Sequence, residues 1–428
     1  MQNIIDELSW RGLIHDKIPG LEARLQETPV TLYVGFDPTA DSLHVGNLVP
    51  ILMLVHFQRA GHKPLVLVGG ATGMIGDPSG KASERILLDE VILQKNISGI
   101  QAQLDRFLDF QSGAAELVNN YDWIKEETFL DFARDIGKHI TVNYMMAKSS
   151  VKRRLSSESR EGMSFTEFTY QLLQGYDFLH LYQKKNCLLQ VGGADQWGNI
   201  TTGVELIRRK TGGAAYGLTF PLVTKPDGSK FGKSEKGENI WIHSARTSPY
   251  KFYQFWINTA DGDAERLIKI YTFLSRAEIE TLIEMHRKEP HKRLLQRRLA
   301  EGLTNWVHGR EACEKVLEAS QILFGQGTAE SLKALSEEDF LSIFEGVPQA
   351  RIDREELHAG LSIVDALVQR GHFLSSNSEA RRALKEKTVS VNKQHVDEDF
   401  VLGVDNLISG RYFLLQRGKK QYFIIKVF

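Results

Sequence analysis

The chain has 428 residues and a mass of 48.4 kDa, which suggests roughly three structural units and a core that needs no metal or disulfide staple. Hydrophobic residues are 42% and charged residues 25%, a balance that excludes disordered, collagen-like and fibrous chains. Lys plus Arg number 53 against 54 Asp plus Glu, so the net charge of −1 leaves only local clusters for any nucleic-acid contact.

Met1 to Trp10 carry Asp6 and Glu7 and no basic run ahead of an apolar stretch, so they resemble neither a signal nor a transit peptide. Residues 30–36 (Val-Thr-Leu-Tyr-Val-Gly-Phe) read as a buried strand, and Asp37-Pro38-Thr39-Ala40-Asp41 as a turn. Leu48, Ile51, Leu52 and Val55 follow at helical spacing, with Gly61 as a stop and 64–68 as a second strand. This βαβ unit predicts parallel strands with a right-handed crossover. Apolar runs such as 48–55 and 65–68 are too short to cross a bilayer.

Ser164-Phe165-Thr166-Glu167 is a capping box opening a helix through about His180. Residues 188–191 read as a strand, Gly192-Gly193-Ala194 as a tight turn, and Asp195 onward as a helix carrying Ile200, Val204 and Ile207. Alternation over 1–220 predicts a doubly wound α/β domain with a Rossmann-like parallel sheet, which binds ligands beyond its strands' carboxyl ends. Cys187 and Cys313 lie far apart, against a disulfide framework or a cysteine-rich zinc site and in favour of a reducing compartment. A soluble cytosolic protein is expected.

After Ser248-Pro249 the chain turns helical through 325, and the stretch 326–350, with Gly327, Gly346 and Pro348, reads as a connector. From 351 the pattern is helical and then β-rich, at 388–391 and 421–428. The expected domains are 1–245, 246–325 and 351–428, with a linker over 326–350. Residues 351–428 hold 13 Lys and Arg against 10 Asp and Glu, clustered at Arg381, Arg382, Lys385, Lys387 and at Arg417, Lys419, Lys420.

Four segments carry chemistry. In the turn after the first strand, His44 can donate to a phosphate oxygen and Gly46 lets a flat ring approach the backbone; a polar turn with a satisfied histidine competes on equal terms. The loop Gly69 to Lys81 is not a P-loop, since three residues rather than four lie between Gly76 and Gly80 and Ala82 replaces the Ser or Thr. It reads as a glycine-lined floor, with Asp77 facing an ammonium and Lys81 and Arg85 reaching phosphate. Tyr170, Gln174 and Asp177 fall at i, i+4 and i+7 on one helix face among apolar neighbours, where they need polar partners. Lys230-Phe231-Gly232-Lys233-Ser234 suits a flexible clamp on phosphates, although surface loops often carry two lysines.

Together, His44-Val45-Gly46-Asn47 and Lys230-Phe231-Gly232-Lys233-Ser234 resemble the two signatures of class I aminoacyl-tRNA synthetases. Tyr33-Val34-Gly35-Phe36-Asp37-Pro38-Thr39, Asn119-Asn120-Tyr121-Asp122-Trp123 and the 191–199 segment are similar to bacterial-type tyrosyl-tRNA synthetases. The resemblance runs over the whole chain and includes a tail, residues 378–392, similar to the S-four-like RNA-binding module, an α+β fold.

The resemblance implies activation of L-tyrosine with ATP, then transfer to tyrosine tRNA. It implies that Tyr33 and Asp177 bind the phenol, that Asp77, Tyr170 and Gln174 hold the ammonium, and that Gln196 positions the carboxylate. Gly35, Asp37, Gly193 and Asp195 would line the adenosine, with Asn47 on the ribose. Thr39 and His44 would bind the γ-phosphate, and Lys81, Arg85, Lys230, Lys233 and Ser234 the pyrophosphate. Mg²⁺ would come with ATP, without a dedicated protein site. Arg208, Arg209 and Lys210 would meet the acceptor stem, and the tail clusters the tRNA backbone. A homodimer is also implied, and the 129–146 stretch is then either core or the dimer face. Three positions depart from the pattern: Asn47 for the second His, Val34 for a frequent Cys, and Lys387-Thr388 for a Gly-containing turn. Two alternatives are a small-molecule nucleotidylyltransferase, which needs no RNA-binding tail, and a silent RNA-binding relative, which needs neither His44 nor the lysine loop.

Overall fold

Two apolar runs, Thr31–Phe36 and Lys63–Val68, form the centre of a six-stranded sheet in the computed structural model, which describes residues 3–79, 89–155, 163–224, 228, 231–232, 237–324, 329–333, 335–344, 347–418 and 421–428. The strands are β1 (Asp16–Lys17), β2 (Thr31–Phe36), β3 (Lys63–Val68), β4 (Glu116–Asn119), β5 (Cys187–Gly193) and β6 (Tyr216–Phe220), in the order β1-β6-β5-β2-β3-β4. β2 to β6 run parallel and β1 pairs antiparallel at one edge. Leu65, Val66, Leu67 and Val68 are all buried, the near-continuous apolar pattern of a sheet covered on both faces. The chain runs outward from β2 through β3 to β4, then returns to β5 and continues the other way. The strand order therefore reverses between β2 and β5, which is where such sheets bind ligands.

The helix Leu48–Arg59 links β2 to β3 and buries residues all round, from Leu48 through Phe57. It stops where expected, at Gly61 with φ 85°, whose N–H reaches the Gln58 carbonyl while that of His62 reaches Phe57. The Ser164 capping box also forms: Ser164 accepts from the Glu167 N–H, and the helix runs from Phe165 to Lys185, a turn beyond its expected end. It packs on the helix Trp197–Thr211, and a Cβ at Gly203 would stand 2.9 Å from the Phe178 ring, so glycine permits that close crossing. One boundary differs from the sequence expectation. Gly192 and Gly193 belong to β5, paired with Thr219 and Phe220, so the turn moves on to 194–196 and the helix begins at Trp197 rather than Asp195.

The chain divides into two compact units, one of residues 1–247 and 255–303, the other of 248–254 and 304–428. In the first, the helices Asp261–Tyr271 and Arg276–Lys288 pack Ala264, Ile268, Ile279 and Ile283 together with Leu295. In the second, β7 (Gln349–Ile352), β9 (Val389–Val391), β10 (Gln394–His395), β12 (Tyr412–Arg417) and β13 (Gln421–Val427) form one sheet in the order β10-β9-β12-β13-β7. β8 (Leu361–Ser362) and β11 (Val401–Leu402) form a separate pair. The connector 326–350 is not bare chain. It holds the helices Ala329–Lys333 and Glu337–Ile343, and Phe340 is buried 5.1 Å from the Tyr412 ring. Lys387, one of the three departures, adopts φ 52° just after the helix Asn377–Lys385, a left-handed position that glycine fills at less cost. The 129–146 stretch splits by face: Ile136, Ile140 and Met145 are core, whereas Phe129, Leu130, Val142 and Met146 are exposed.

Candidate active site

A cleft of about 620 Å³ opens over the carboxyl ends of β2 and β5. β2 and the turn after it contribute Tyr33, Val34, Gly35, Asp37, Thr39, His44 and Asn47. The floor supplies Thr72, Asp77 and Ser79, and the 165–185 helix supplies Tyr170, Gln174 and Asp177 at their predicted spacing. β5 and its turn add Gln190, Gly193, Asp195 and Gln196. Every described residue expected from the sequence at the tyrosine and ATP positions lines this one cleft. Phe231 and Gly232 also line it, and a Cβ at Gly232 would stand 3.2 Å from the Gly46 nitrogen. Lys81, Arg85, Lys230, Lys233 and Ser234 lie outside the described residues.

At the closed end, the Asp177 carboxylate is pinned on both oxygens. Trp123 Nε1–H donates to Oδ1 at 2.8 Å and Asn120 Nδ2–H to Oδ2 at 2.9 Å. Burial pushes Asp177 up to about 7; those two donors pull it down, and Asp37 pushes it up further. Beside it stands Tyr33, 1% exposed, whose hydroxyl has no partner among the described residues. Burial, then Asp177 and Cys187, hold the Tyr33 hydroxyl well above the usual phenol range, so it stays protonated. A buried hydroxyl without a partner is costly, and a ligand's polar group here removes that cost.

Along one wall, Gln196 Nε2–H donates to Asp77 Oδ2 at 2.6 Å, and Gln174 Nε2–H to Gln196 Oε1 at 3.2 Å. Asn199 Nδ2–H donates to Gln174 Oε1 at 2.9 Å and to Ser79 Oγ at 3.2 Å. The Ser79 N–H donates to Asp77 Oδ1 at 2.9 Å. The other wall is organised by Asp37, which accepts from Tyr170 Oη at 2.8 Å and from Thr72 Oγ1 at 2.9 Å. A Cβ at Gly69 would stand 2.3 Å from both Asp37 Oδ1 and Thr72 Oγ1, so only glycine fits under this pair.

At the open end, His44 Nδ1 accepts from the Gly46 N–H at 3.0 Å. In the neutral ring the proton therefore sits on Nε2, the tautomer able to donate to a phosphate oxygen. Asn47 Oδ1 accepts from the His44 N–H at 3.0 Å, so the amide that replaces the second His braces the turn.

The charged positions outside the cleft divide. Arg208 pairs with Glu205 at 2.8 Å, Arg209 donates to the His139 carbonyl at 3.0 Å, and Lys210 to that of Asp135 at 3.1 Å. In the second unit, Arg381 and Arg417 pair with Glu398 and Glu379, each at 2.8 Å. Arg382 and Lys385 are exposed on the same helix, and Lys419 and Lys420 lie outside the described residues.

Sequence reasoning assigned no role to Asn120, Trp123, Gln190 or Asn199. Asn120 and Trp123 sit in a motif that was quoted, but their partner Asp177 is 57 and 54 residues away. Gln190 is the sheet neighbour of Tyr33, and its Oε1 has no partner among the described residues. Among the described residues, no group of three or more His, Cys, Asp or Glu is placed to hold a metal, and no helix is long and apolar enough to cross a membrane.

Two family descriptions match: tRNA synthetases class I (W and Y) over residues 25–325, and the tyrosine–tRNA ligase SYY-like C-terminal domain over 339–425. A tyrosine–tRNA ligase of Flavobacterium psychrophilum is 58% identical over 100% of both chains, and one of Bacteroides fragilis is 58% identical over 99% of both. Among solved structures, a C-terminally truncated mitochondrial tyrosyl-tRNA synthetase of Aspergillus nidulans superposes with a TM-score of 0.69 at 30% identity, covering 76% of this chain and 95% of that one. The chain belongs to the class I tRNA synthetases of the tryptophan and tyrosine group, in the tyrosine–tRNA ligase family.

Proposed function

We propose that this chain joins L-tyrosine to tyrosine tRNA in two steps. A tyrosine carboxylate oxygen attacks the α-phosphorus of ATP, the bond to the β-phosphate oxygen breaks, and pyrophosphate leaves. A ribose hydroxyl of the terminal adenosine then attacks the carbonyl carbon of the adenylate, and AMP leaves. A carboxylate is a nucleophile at neutral pH, so the first step needs alignment and cations rather than a protein base.

The single observation that carries the reading is the closed end of the cleft. The Tyr33 hydroxyl without a partner and the doubly pinned Asp177 carboxylate are a donor and an acceptor suited to a phenol. Phenylalanine would leave the Tyr33 hydroxyl without a partner and give the buried Asp177 carboxylate no further donor. The tyrosine enzymes are themselves the standing example of such rejection, on the order of 10⁵ without editing. The ammonium is assigned to Asp77, Tyr170 and Gln174, and the carboxylate to Gln196. Adenosine is assigned to Gly35, Asp37, Asn47, Gly193 and Asp195. Thr39 and His44 take the γ-phosphate, and Lys81, Arg85, Lys230, Lys233 and Ser234 the leaving pyrophosphate. Mg²⁺ arrives with ATP as part of the substrate. The 129–146 stretch is assigned to a homodimer face, a reading supported by the exposure of its large apolar side chains Phe129, Leu130, Val142 and Met146. Arg208, Arg209, Lys210 and the tail cations are assigned to tRNA phosphates, and the cytosol is the proposed compartment.

The test is amino-acid-dependent exchange of labelled pyrophosphate into ATP, without tRNA. Exchange is expected with tyrosine alone, not with phenylalanine or tryptophan, and is expected to vanish in Asp177→Ala. Parent-like tyrosine exchange in that variant would remove the phenol assignment.

A further inference from the structure

The 165–185 helix turns Asp177 toward the cleft and carries His180 one turn further on. The His180 imidazole lies flat on the Trp123 indole, with ring centroids 4.5 Å apart and planes 10° from parallel. The same indole donates its Nε1–H to Asp177. One side chain of the helix thus orients the group that holds another. Tyr176 adds a second fastening: its ring stands edge-on to His180 at 6.3 Å, and its hydroxyl donates to Glu127. The segment carrying Trp123 is tied to the helix at His180 and again at Glu127.

Trp123 needs that support. It sits on the single-turn helix Tyr121–Ile124, none of whose residues is buried. Its partly buried indole packs against the core cluster of Phe178 and Leu179, and a small swing about its two side-chain bonds breaks a 2.8 Å hydrogen bond. Asn120 would then hold only one carboxylate oxygen, leaving the other free to turn away from the cleft.

We propose that His180 is a positioning residue for amino-acid selection, its ring acting as a flat face that holds Trp123 in the orientation presenting Asp177 to the substrate phenol. The proposal rests on the reading of Asp177 as the phenol's acceptor. Burial, and then Lys184, keep the His180 imidazole below its ordinary value against the opposing pull of Glu127, so it stacks as a neutral ring. Its role is then one of shape, and another flat ring can replace it.

The experiment is steady-state pyrophosphate exchange with tyrosine and ATP varied separately, in the full chain and in His180→Phe, His180→Leu and His180→Ala. Loss of an aromatic pairing changes an equilibrium about two- to tenfold. The tyrosine KM is expected to rise by that factor in His180→Leu and His180→Ala, with the ATP KM unchanged and the preference for tyrosine over phenylalanine reduced. His180→Phe is expected to restore parent values. The comparison of Leu with Phe separates a flat face from bulk even where Ala unfolds. A parent-like tyrosine KM in His180→Leu overturns the proposal, as does His180→Phe behaving like His180→Leu. Absence of tyrosine-dependent exchange in the parent overturns the site reading and this proposal with it. Exchange in the parent with unaltered variants overturns the proposal alone.

Discussion

Asp177 is a carboxyl whose surroundings set it at about 7 rather than the ordinary 3.8, and its hydrogen-bond partners make the consequence specific. Tyr33 and Tyr170, the phenols facing it, both stay protonated because burial raises them well above their ordinary range. Asp177 thus changes charge near neutrality while these two phenols do not. A phenol O–H bonds more strongly to a carboxylate than to a neutral acid. With Asp177 as the proposed acceptor of the phenol, tyrosine binding favours the ionised form, so affinity is expected to be gained as pH rises through about 7 and lost as it falls. The tyrosine KM is expected to decrease severalfold between pH 6 and pH 8 while the ATP KM does not follow, and an Asp177→Asn variant is expected to lack that inflection. Kinetics across that range check it, and a flat tyrosine KM would rule it out. At this scale the sequence was informative where residues share an element: the spacing of Tyr170, Gln174 and Asp177 placed all three in the cleft. It was silent where partners come from separate elements. Nothing in Asn120 or Trp123 shows that β4 lies beside β3 and brings them to Asp177, and Gln190 sits inside an apolar strand with no local sign that its amide faces a ligand.

The helix Leu48–Arg59 shows the same economy one level up. His56, in its last turn, is 7% exposed, lies 5.2 Å from the Phe273 ring and leaves Nε2 without a partner among the described residues. Arg11 is buried nearby, its guanidinium donating to the carbonyls of Lys269, Thr272 and Leu274, so its charge is fixed in place. Burial, then Arg11 and Arg59, push the His56 imidazole down to about 3. The unfolded chain takes up a proton at about 6.5 that the folded helix refuses, so this group's contribution is complete above 6.5 and is lost as pH falls toward 3. Each pH unit in that window costs about 1.4 kcal/mol, or about 2 kcal/mol by pH 5. His56→Leu is expected to lose about 2 kcal/mol less than the parent between pH 7 and pH 5. Urea denaturation at the two pH values measures it, and equal losses would show that another group sets the acid limb. The elements that were legible are those, like this helix, with long apolar patterns or a capping residue. The edge strand β1 was not: both its residues are exposed, and it exists only because β6 offers an unpaired edge. The connector was misleading because its glycine and proline content hid two short helices, Ala329–Lys333 and Glu337–Ile343.

Across the whole molecule, the cleft and the cations proposed to contact RNA fall largely in different units. All residues lining the cleft belong to the first unit, whereas the helix Asn377–Lys385 with its exposed Arg381, Arg382 and Lys385 belongs to the second. The place to cut follows from what each unit buries. Ending the chain at 350 would sever β7 from β13 and bare Phe340 and Phe344, which are otherwise covered, with Phe340 against Tyr412. Such a fragment carries apolar surface that invites aggregation and would lose activity for reasons unrelated to tRNA. Ending after Phe324, at the close of the helix Arg310–Phe324, removes those side chains together with the sheet that covers them. The fragment ending at Phe324 is expected to keep tyrosine-dependent pyrophosphate exchange within about twofold of the parent. Charging of tyrosine tRNA is expected to fall at least about tenfold, as when several phosphate contacts are lost together, and to fall less at low salt, where the remaining contacts bind more tightly. Parallel loss of exchange and charging would mean that the tail supports the cleft itself. Retained charging would move the tRNA contacts to the first unit, with Arg208, Arg209 and Lys210 the next positions to test.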